Sequence, residues 1–128
     1  MNWTLQIEEQ NSEPIVAAEQ LSLRLNQLHE FSKGDPLFAV VNAPDGSTLA
    51  VGLGRELSVL SYTAPGGWPA KHVISNNADE RLLSYRFLGH FSEIPASYAV
   101  PLEEAISATV EFFKTGGKLS NQLNWEDD

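Results

Sequence analysis

The chain has no cysteine, so it can build neither a disulfide framework nor a thiolate metal site. Cations are scarce as well: 8 Lys plus Arg stand against 17 Asp plus Glu, a formal net charge of −9. Binding to a phosphate backbone needs a basic patch, and so few dispersed cations do not supply one, so no direct nucleic-acid binding is expected. Long apolar runs are missing too. Nowhere do the ~18 consecutive apolar residues of a membrane span occur, and the N-terminus from Met1 lacks the basic start and apolar run of a signal peptide. A cytoplasmic protein without membrane contact is expected.

Catalytic patterning is equally thin. His29, His72 and His90 lack the i, i+4 or short-loop spacing that makes a metal site. No serine sits in a Gly-x-Ser-x-Gly elbow. Gly52-Leu53-Gly54 has the first half of a dinucleotide fingerprint without its third glycine or a following helix, so a bend or bulge is the better reading. Glu8-Glu9, Glu103-Glu104 and Asp127-Asp128 are adjacent in sequence, which is poor geometry for acid–base work and ordinary for a solvated edge. No catalytic residue, metal or cofactor is assigned, and the protein is not expected to be an enzyme. That expectation would weaken if His72 or His90 lay in a pocket beside a carboxylate.

What is present is a foldable pattern. A chain of 128 residues without a Pro/Gly/Ser-rich linker reads as one domain, 1–128, long enough to bury roughly two-thirds of its unfolded surface. Trp3, Leu5 and Ile7 alternate with polar residues over 2–8, the period of a half-buried strand. Asn11-Ser12-Glu13-Pro14 offers capping residues and a first-turn proline for a helix that carries Ala17, Ala18, Leu21, Leu25 and Leu28 on one face and reaches about Phe31. Val16 and Leu23 fall on the opposite side and either sit against a loop, the preferred reading, or are exposed as isolated surface apolar residues. Leu37–Asn42 is a strand by its β-branched and aromatic content, and Pro44-Asp45-Gly46 turns the chain into a second strand. In that strand Leu49, Val51 and Leu53 alternate with Thr48, Ala50 and Gly52, leaving one small face against which something can pack closely. Residues 57–63 read as a central strand, 71–75 as a short one, 76–79 as a turn, and 82–88 as a strand with Leu83, Tyr85 and Phe87 on one side.

The final helix is fully punctuated. Pro101 suits its first position, Glu103 and Glu104 its first turn, Lys114 its last turn, and Gly116 the left-handed residue after it. Leu102, Ala105, Ile106, Thr109, Phe112 and Phe113 make its apolar stripe. These elements sum to an α+β fold, a mostly antiparallel sheet of five or six strands packed with two main helices.

A strongly acidic surface favours encounter with a basic partner. The candidate partner-binding residues are Trp68, Asp79, Glu80, Glu103, Glu104 and Glu111, with Glu126, Asp127 and Asp128 behind them. Trp68, on the loop 64–69, is either an interface anchor or a lid folded back on the core. Trp125 is expected to dock the tail, with the three carboxylates after it fraying. A small ligand-binding or regulatory module is the alternative class; a deep apolar pocket between sheet and helices would favour it.

Three stretches carry a resemblance. Val100-Pro101, the acidic pair, Glu111-Phe-Phe113, Thr115-Gly-Gly117 and Trp125 form the first. Leu49-Ala-Val-Gly-Leu-Gly54 running on through Glu56, Leu57 and Leu60-Ser-Tyr62 forms the second, and Phe91-Ser-Glu-Ile-Pro95 the third. In this order and spacing the chain resembles immunity protein family one of bacterial polymorphic-toxin systems over about residues 37–125. It departs from the pattern after the helix-ending glycines, where Lys118-Leu119-Ser120 stands in place of an expected proline. The resemblance implies a protein that binds a cognate toxin domain one-to-one, as a monomer, and keeps it inactive. It further implies a nucleic-acid (cytidine) deaminase as the toxin, blocked at its active site or substrate groove.

Overall fold

The N-terminal alternation becomes β1 (Thr4–Ile7), which pairs antiparallel on one side with β2 (Asn11–Pro14) and on the other with β3 (Leu37–Asn42). The structure, a computed structural model, describes residues 2–7, 11–75, 77–87 and 90–128. The Glu8-Glu9 pair, Asn76 of the expected turn and Leu88 at the end of the expected strand lie outside these residues. The segment 11–14, expected to open the first helix, is therefore a strand. It occupies the sheet edge, where a proline costs least because only one neighbour is paired.

The helix itself, α1 (Ala18–Phe31), begins later. Its N-cap, Ala17, has no side-chain acceptor. Gln20 substitutes by reaching back: its Oε1 accepts from Val16 N at 2.7 Å and from Ala17 N at 3.3 Å, and its Nε2 donates to Pro14 O at 3.0 Å. Arg24 Nε then ties the helix to β2 through Glu13 at 2.6 Å. Among the described residues no loop covers Val16 and Leu23, which are 77% and 61% exposed; Leu23 stands on the side of α1 opposite the stripe that faces the sheet, and Val16 lies just before the helix.

β3 and β4 (Thr48–Leu53) form the hairpin, followed by β6 (Leu60–Thr63) and β7 (Ala70–Ile74). The strand expected over 57–63 is broken at Val59. Its first part, β5 (Leu57–Ser58), leaves the main sheet and pairs with β10 (Val100–Pro101). The break is held by Gly52, whose N–H donates to Val59 O at 3.0 Å and whose carbonyl accepts from Ser58 Oγ at 2.6 Å. β6 does lie between β4 and β7, the interior position expected of it.

β8 (Leu82–Phe87) and β9 (His90–Pro95) make a hairpin, which joins β3 through one parallel bridge, Leu37↔Arg86. At the far edge β11 (Asn124–Asp127) pairs with β7. The order β11-β7-β6-β4-β3-β1-β2, with the β8–β9 branch, gives nine strands. The α+β class holds; of the extra edge strands, β2 and β11 are short polar segments and β9 lacks a regular apolar alternation.

One face of this sheet meets the helices: Leu5, Val41, Leu49 and Val51 pack with Leu21, Leu25, Ile106 and Phe112. Trp3 closes that core edge-on to Phe112 and Phe113, at 5.5 and 5.2 Å between ring centroids. On the other face Phe38, Val40 and Ala50 pack beneath Leu83 and Tyr85 of β8. The close partner of the small face of β4 is Tyr85, whose ring atoms would lie 2.7–3.1 Å from a Cβ at Gly52. Gly54 takes a φ of 103°, with Ser32 O 2.5 Å from where its Cβ would be. Its N–H donates to His29 Nδ1 at 3.0 Å, so His29 is a structural acceptor.

α2 (Leu102–Lys114) is shorter by one residue than its punctuation suggests, with Pro101 as N-cap rather than first helical residue. Its C-terminus behaves as expected. Gly116, at φ 76°, and Gly117 close a Schellman motif, with Gly117 N donating to Phe112 O at 2.8 Å and Gly116 N to Phe113 O at 3.3 Å.

Candidate partner-binding surface

The loop after β6 is shaped by two positive-φ glycines, Gly66 and Gly67, and closed by Ala64 N donating to Pro69 O at 2.9 Å. Among the described residues a Cβ on either glycine would meet nothing within 4 Å, so the two glycines stand clear of the body, while Pro65 before them lies 3.9 Å from where a Cβ at Gly46 would be. Trp68 follows it at 68% exposure, projecting rather than lidding the core.

Two residues further on, Ala70 O accepts from Asp128 N at 3.0 Å, so the acidic C-terminal strand lies beside the tryptophan loop. The tail is not frayed. Lys118-Leu119-Ser120 leads into a turn from which Trp125 Nε1 donates to Ser120 O at 2.9 Å, and residues 124–127 are strand β11. Half-buried Trp125 packs on the helix-side core, as a docking residue would. Asp127 meets Lys71 at 3.0 Å, Asp128 meets His72 Nδ1 at 2.6 Å, and Glu126 lies 3.6 Å from His72 Nε2. Three carboxylates against one lysine leave this edge acidic, and β11 has a sheet partner on one side only.

The remaining candidates are elsewhere. Glu103 and Glu104 are exposed on the first turn of α2, and Glu111 is half-exposed two turns on. Glu103 and Glu111 border a groove of about 580 Å³ between the two helices, floored by Leu102, Ile106 and Val110 and flanked by Ser22 and Asn26 of α1. This cleft lies along the helix surface, not between sheet and helices. Asp79 and Glu80 fall beyond the other end of β7. Asp79 is engaged by Arg81 through bonds of 2.6–3.0 Å, which hold its carboxyl below the usual range, and Glu80 is exposed. The structure thus unites Trp68 with Glu126, Asp127 and Asp128, groups Glu103, Glu104 and Glu111 on another face, and leaves Asp79 satisfied within the chain.

Several features had no sequence signal. Phe31 and Phe91 are 82% and 75% exposed, and Leu82 is 58% exposed. Phe31, with Ile7, Leu28 and the Arg24–Glu13 pair, lines a cleft of about 740 Å³ between α1 and the β1–β2 edge. His72 does lie in a pocket beside a carboxylate. It lines a cavity of about 240 Å³ between β6–β7 and the β9 end, with Ser61, Glu93 and Asp128. Ser61 stands opposite it in register. The arrangement is not a nucleophile triad, because Nδ1 is bonded to Asp128 and Nε2 is buried with no hydrogen-bond partner, so the serine hydroxyl is not engaged. Among the described residues no group of three or more His, Cys, Asp or Glu is placed to hold a metal ion, and no helix is long and apolar enough to cross a membrane.

The chain displays an exposed tryptophan, an acidic strand edge and a helix groove lined by Glu103, Glu111 and Lys114. It belongs to the Imm1 family: the family model described as Immunity protein Imm1 matches residues 9–127. Its function is accordingly that of an immunity protein, directed at a cognate toxin. No curated protein matches the chain.

Proposed function

We propose that this protein binds a nucleic-acid (cytidine) deaminase toxin domain one-to-one and neutralises it by covering the active site or the substrate groove, with no chemistry of its own. The observation that carries the reading is the pairing of solvent-exposed Trp68 with the acidic edge of β11. A deaminase acting on nucleic acid holds its base in a snug pocket beside Zn²⁺, approached along a positively charged channel. An acidic strand edge competes for the phosphate positions of such a channel, and an indole beside it supplies the apolar anchor that slows dissociation. The helix groove with Glu103 and Glu111 offers a second acidic contact on a different face.

The test is co-purification with the toxin domain encoded beside this gene, coupled to an assay of deamination on DNA and RNA. A stoichiometric complex with deamination abolished is expected. A complex that silences a different nuclease-like or membrane-directed activity overturns the deaminase assignment. The small-ligand alternative gains little from the His72 cavity, because ~300–1,000 Å³ is usual for small-molecule sites.

A further inference from the structure

The His72 cavity is too small for a cofactor and the right size for one side chain. Its walls are Phe38, Val59, Ile94, Pro95 and the ring of Tyr98, which stacks on His72 with centroids 4.6 Å apart and planes 28° from parallel. Its polar groups are Ser61, His72, Glu93, Asp128 and the Tyr98 hydroxyl, and among the described residues neither lysine nor arginine lines it.

The two carboxylates among these groups only accept when ionised, whereas the Ser61 and Tyr98 hydroxyls both donate and accept. An ionised Asp128 can only accept, so His72 Nδ1 carries the proton of their 2.6 Å bond. His72 Nε2 is buried, without a hydrogen-bond partner among the described residues, 3.6 Å from Glu126 Oε1. Glu93 is a further acceptor at the rim. The cavity sets a partly exposed wall of Ile94 and Tyr98 beside the exposed carboxylates of Glu93 and Asp128.

We infer that this cavity receives an arginine side chain of the toxin: the aliphatic stem lies along Ile94 and the ring of Tyr98, and the guanidinium lies between Glu93 and Asp128. Guanidinium carries five donors and no acceptor, the complement of the two carboxylates, and it stacks on aromatic rings. A carboxylate-bearing occupant would be repelled, and a hydroxyl, with its single donor, would leave most of the carboxylate acceptors unpaired. Because Asp128 spans the cavity and the strand edge next to Trp68, the arginine becomes the electrostatic anchor of the same surface. The inference rests on the immunity reading for the source of the arginine, not for the chemistry of the cavity.

Two measurements separate these. The full chain is titrated with N-acetyl-L-arginine methylamide and with its neutral isostere, N-acetyl-L-citrulline methylamide, following the Tyr98 and His72 ring signals by NMR. Saturable shifts are expected with the arginine derivative alone, and are expected to vanish in Glu93→Lys. Glu93 is exposed, so both of its variants should fold. In the toxin complex, Glu93→Gln should weaken binding about three- to tenfold and Glu93→Lys by more than about tenfold. One toxin arginine should show a non-additive effect with Glu93→Gln. Equal response to citrulline, or no saturable response, overturns the cavity assignment. Arginine binding with an unimpaired Glu93→Lys complex overturns its role as toxin anchor while leaving the immunity reading intact. Failure of the unaltered protein to bind toxin at all overturns the immunity reading and the toxin as the source of the arginine, while the free probe still decides the chemistry of the cavity.

Discussion

Replacing Gly52 by alanine tests whether the second face of the sheet is built on one close approach. The added Cβ would lie 2.7 Å from Tyr85 Cε1, 2.9 Å from Cζ and 3.1 Å from Cδ1. The φ of Gly52 is not positive, so backbone strain is not the cost; the ring is. Tyr85 is fully buried, its hydroxyl donates to Leu57 O at 2.8 Å, and Phe38 packs on it at 5.1 Å between centroids. It therefore cannot swing away without losing that bond or disturbing the β5 segment. Overpacking of this kind costs about 1–3 kcal/mol. For a chain of this length that corresponds to a melting temperature lower by roughly 3–15 °C. Urea denaturation of Gly52→Ala, Tyr85→Leu and the double variant gives the coupling directly. Removing the ring should relieve the clash, so Gly52→Ala should cost at least about 1 kcal/mol less in the Tyr85→Leu background. A Gly52→Ala variant within about 0.5 kcal/mol of the parent protein, or one whose cost is the same in both backgrounds, would refute the argument.

Three other outcomes are expected. Trp68→Ala should leave the melting temperature nearly unchanged, because the side chain is 68% exposed, yet speed dissociation of the toxin roughly tenfold or more in surface plasmon resonance. Charge reversal at Glu103, Glu104 and Glu111 together should slow toxin association and flatten its salt dependence in stopped-flow measurements; unchanged association would remove the helix face from the interface. The third concerns Tyr85, whose phenol is pushed by burial from 10.0 to about 12. Folding favours its neutral form, so the stabilisation is complete below the unfolded pKa and is lost as pH rises towards the folded one. Relative to Tyr85→Phe, the protein should lose about 2–3 kcal/mol between pH 10 and 12. A constant difference between the two across that range in urea titrations would show that the phenol is not buried in solution.

What could be read in advance is what the chain writes locally. The final helix is spelled by a proline cap, an acidic first turn, a 3.6-residue stripe and two glycines, all within its own span, and the hairpin around Pro44-Asp45-Gly46 is spelled the same way. The acidity that favours a basic partner is a property of composition and needs no fold. The Asn11–Pro14 segment was misread because its capping residues and proline suit a helix start, while its actual state depends on pairing with β1. The tail was read as fraying because nothing in Glu126-Asp127-Asp128 signals a strand; Lys71 and His72, over fifty residues away, hold it in place.

The sequence by itself thus determined the two helices, the β3–β4 hairpin, the α+β class and the sign of the surface, since each follows from near-neighbour sterics or from charge that no fold can cancel. Only the tertiary structure decided that Trp68 projects beside an acidic edge, that Tyr85 fills the small face of β4, and that His72, Glu93 and Asp128 share one cavity. Those are meetings between residues far apart in the chain, set by strand order and register, and no local period encodes them.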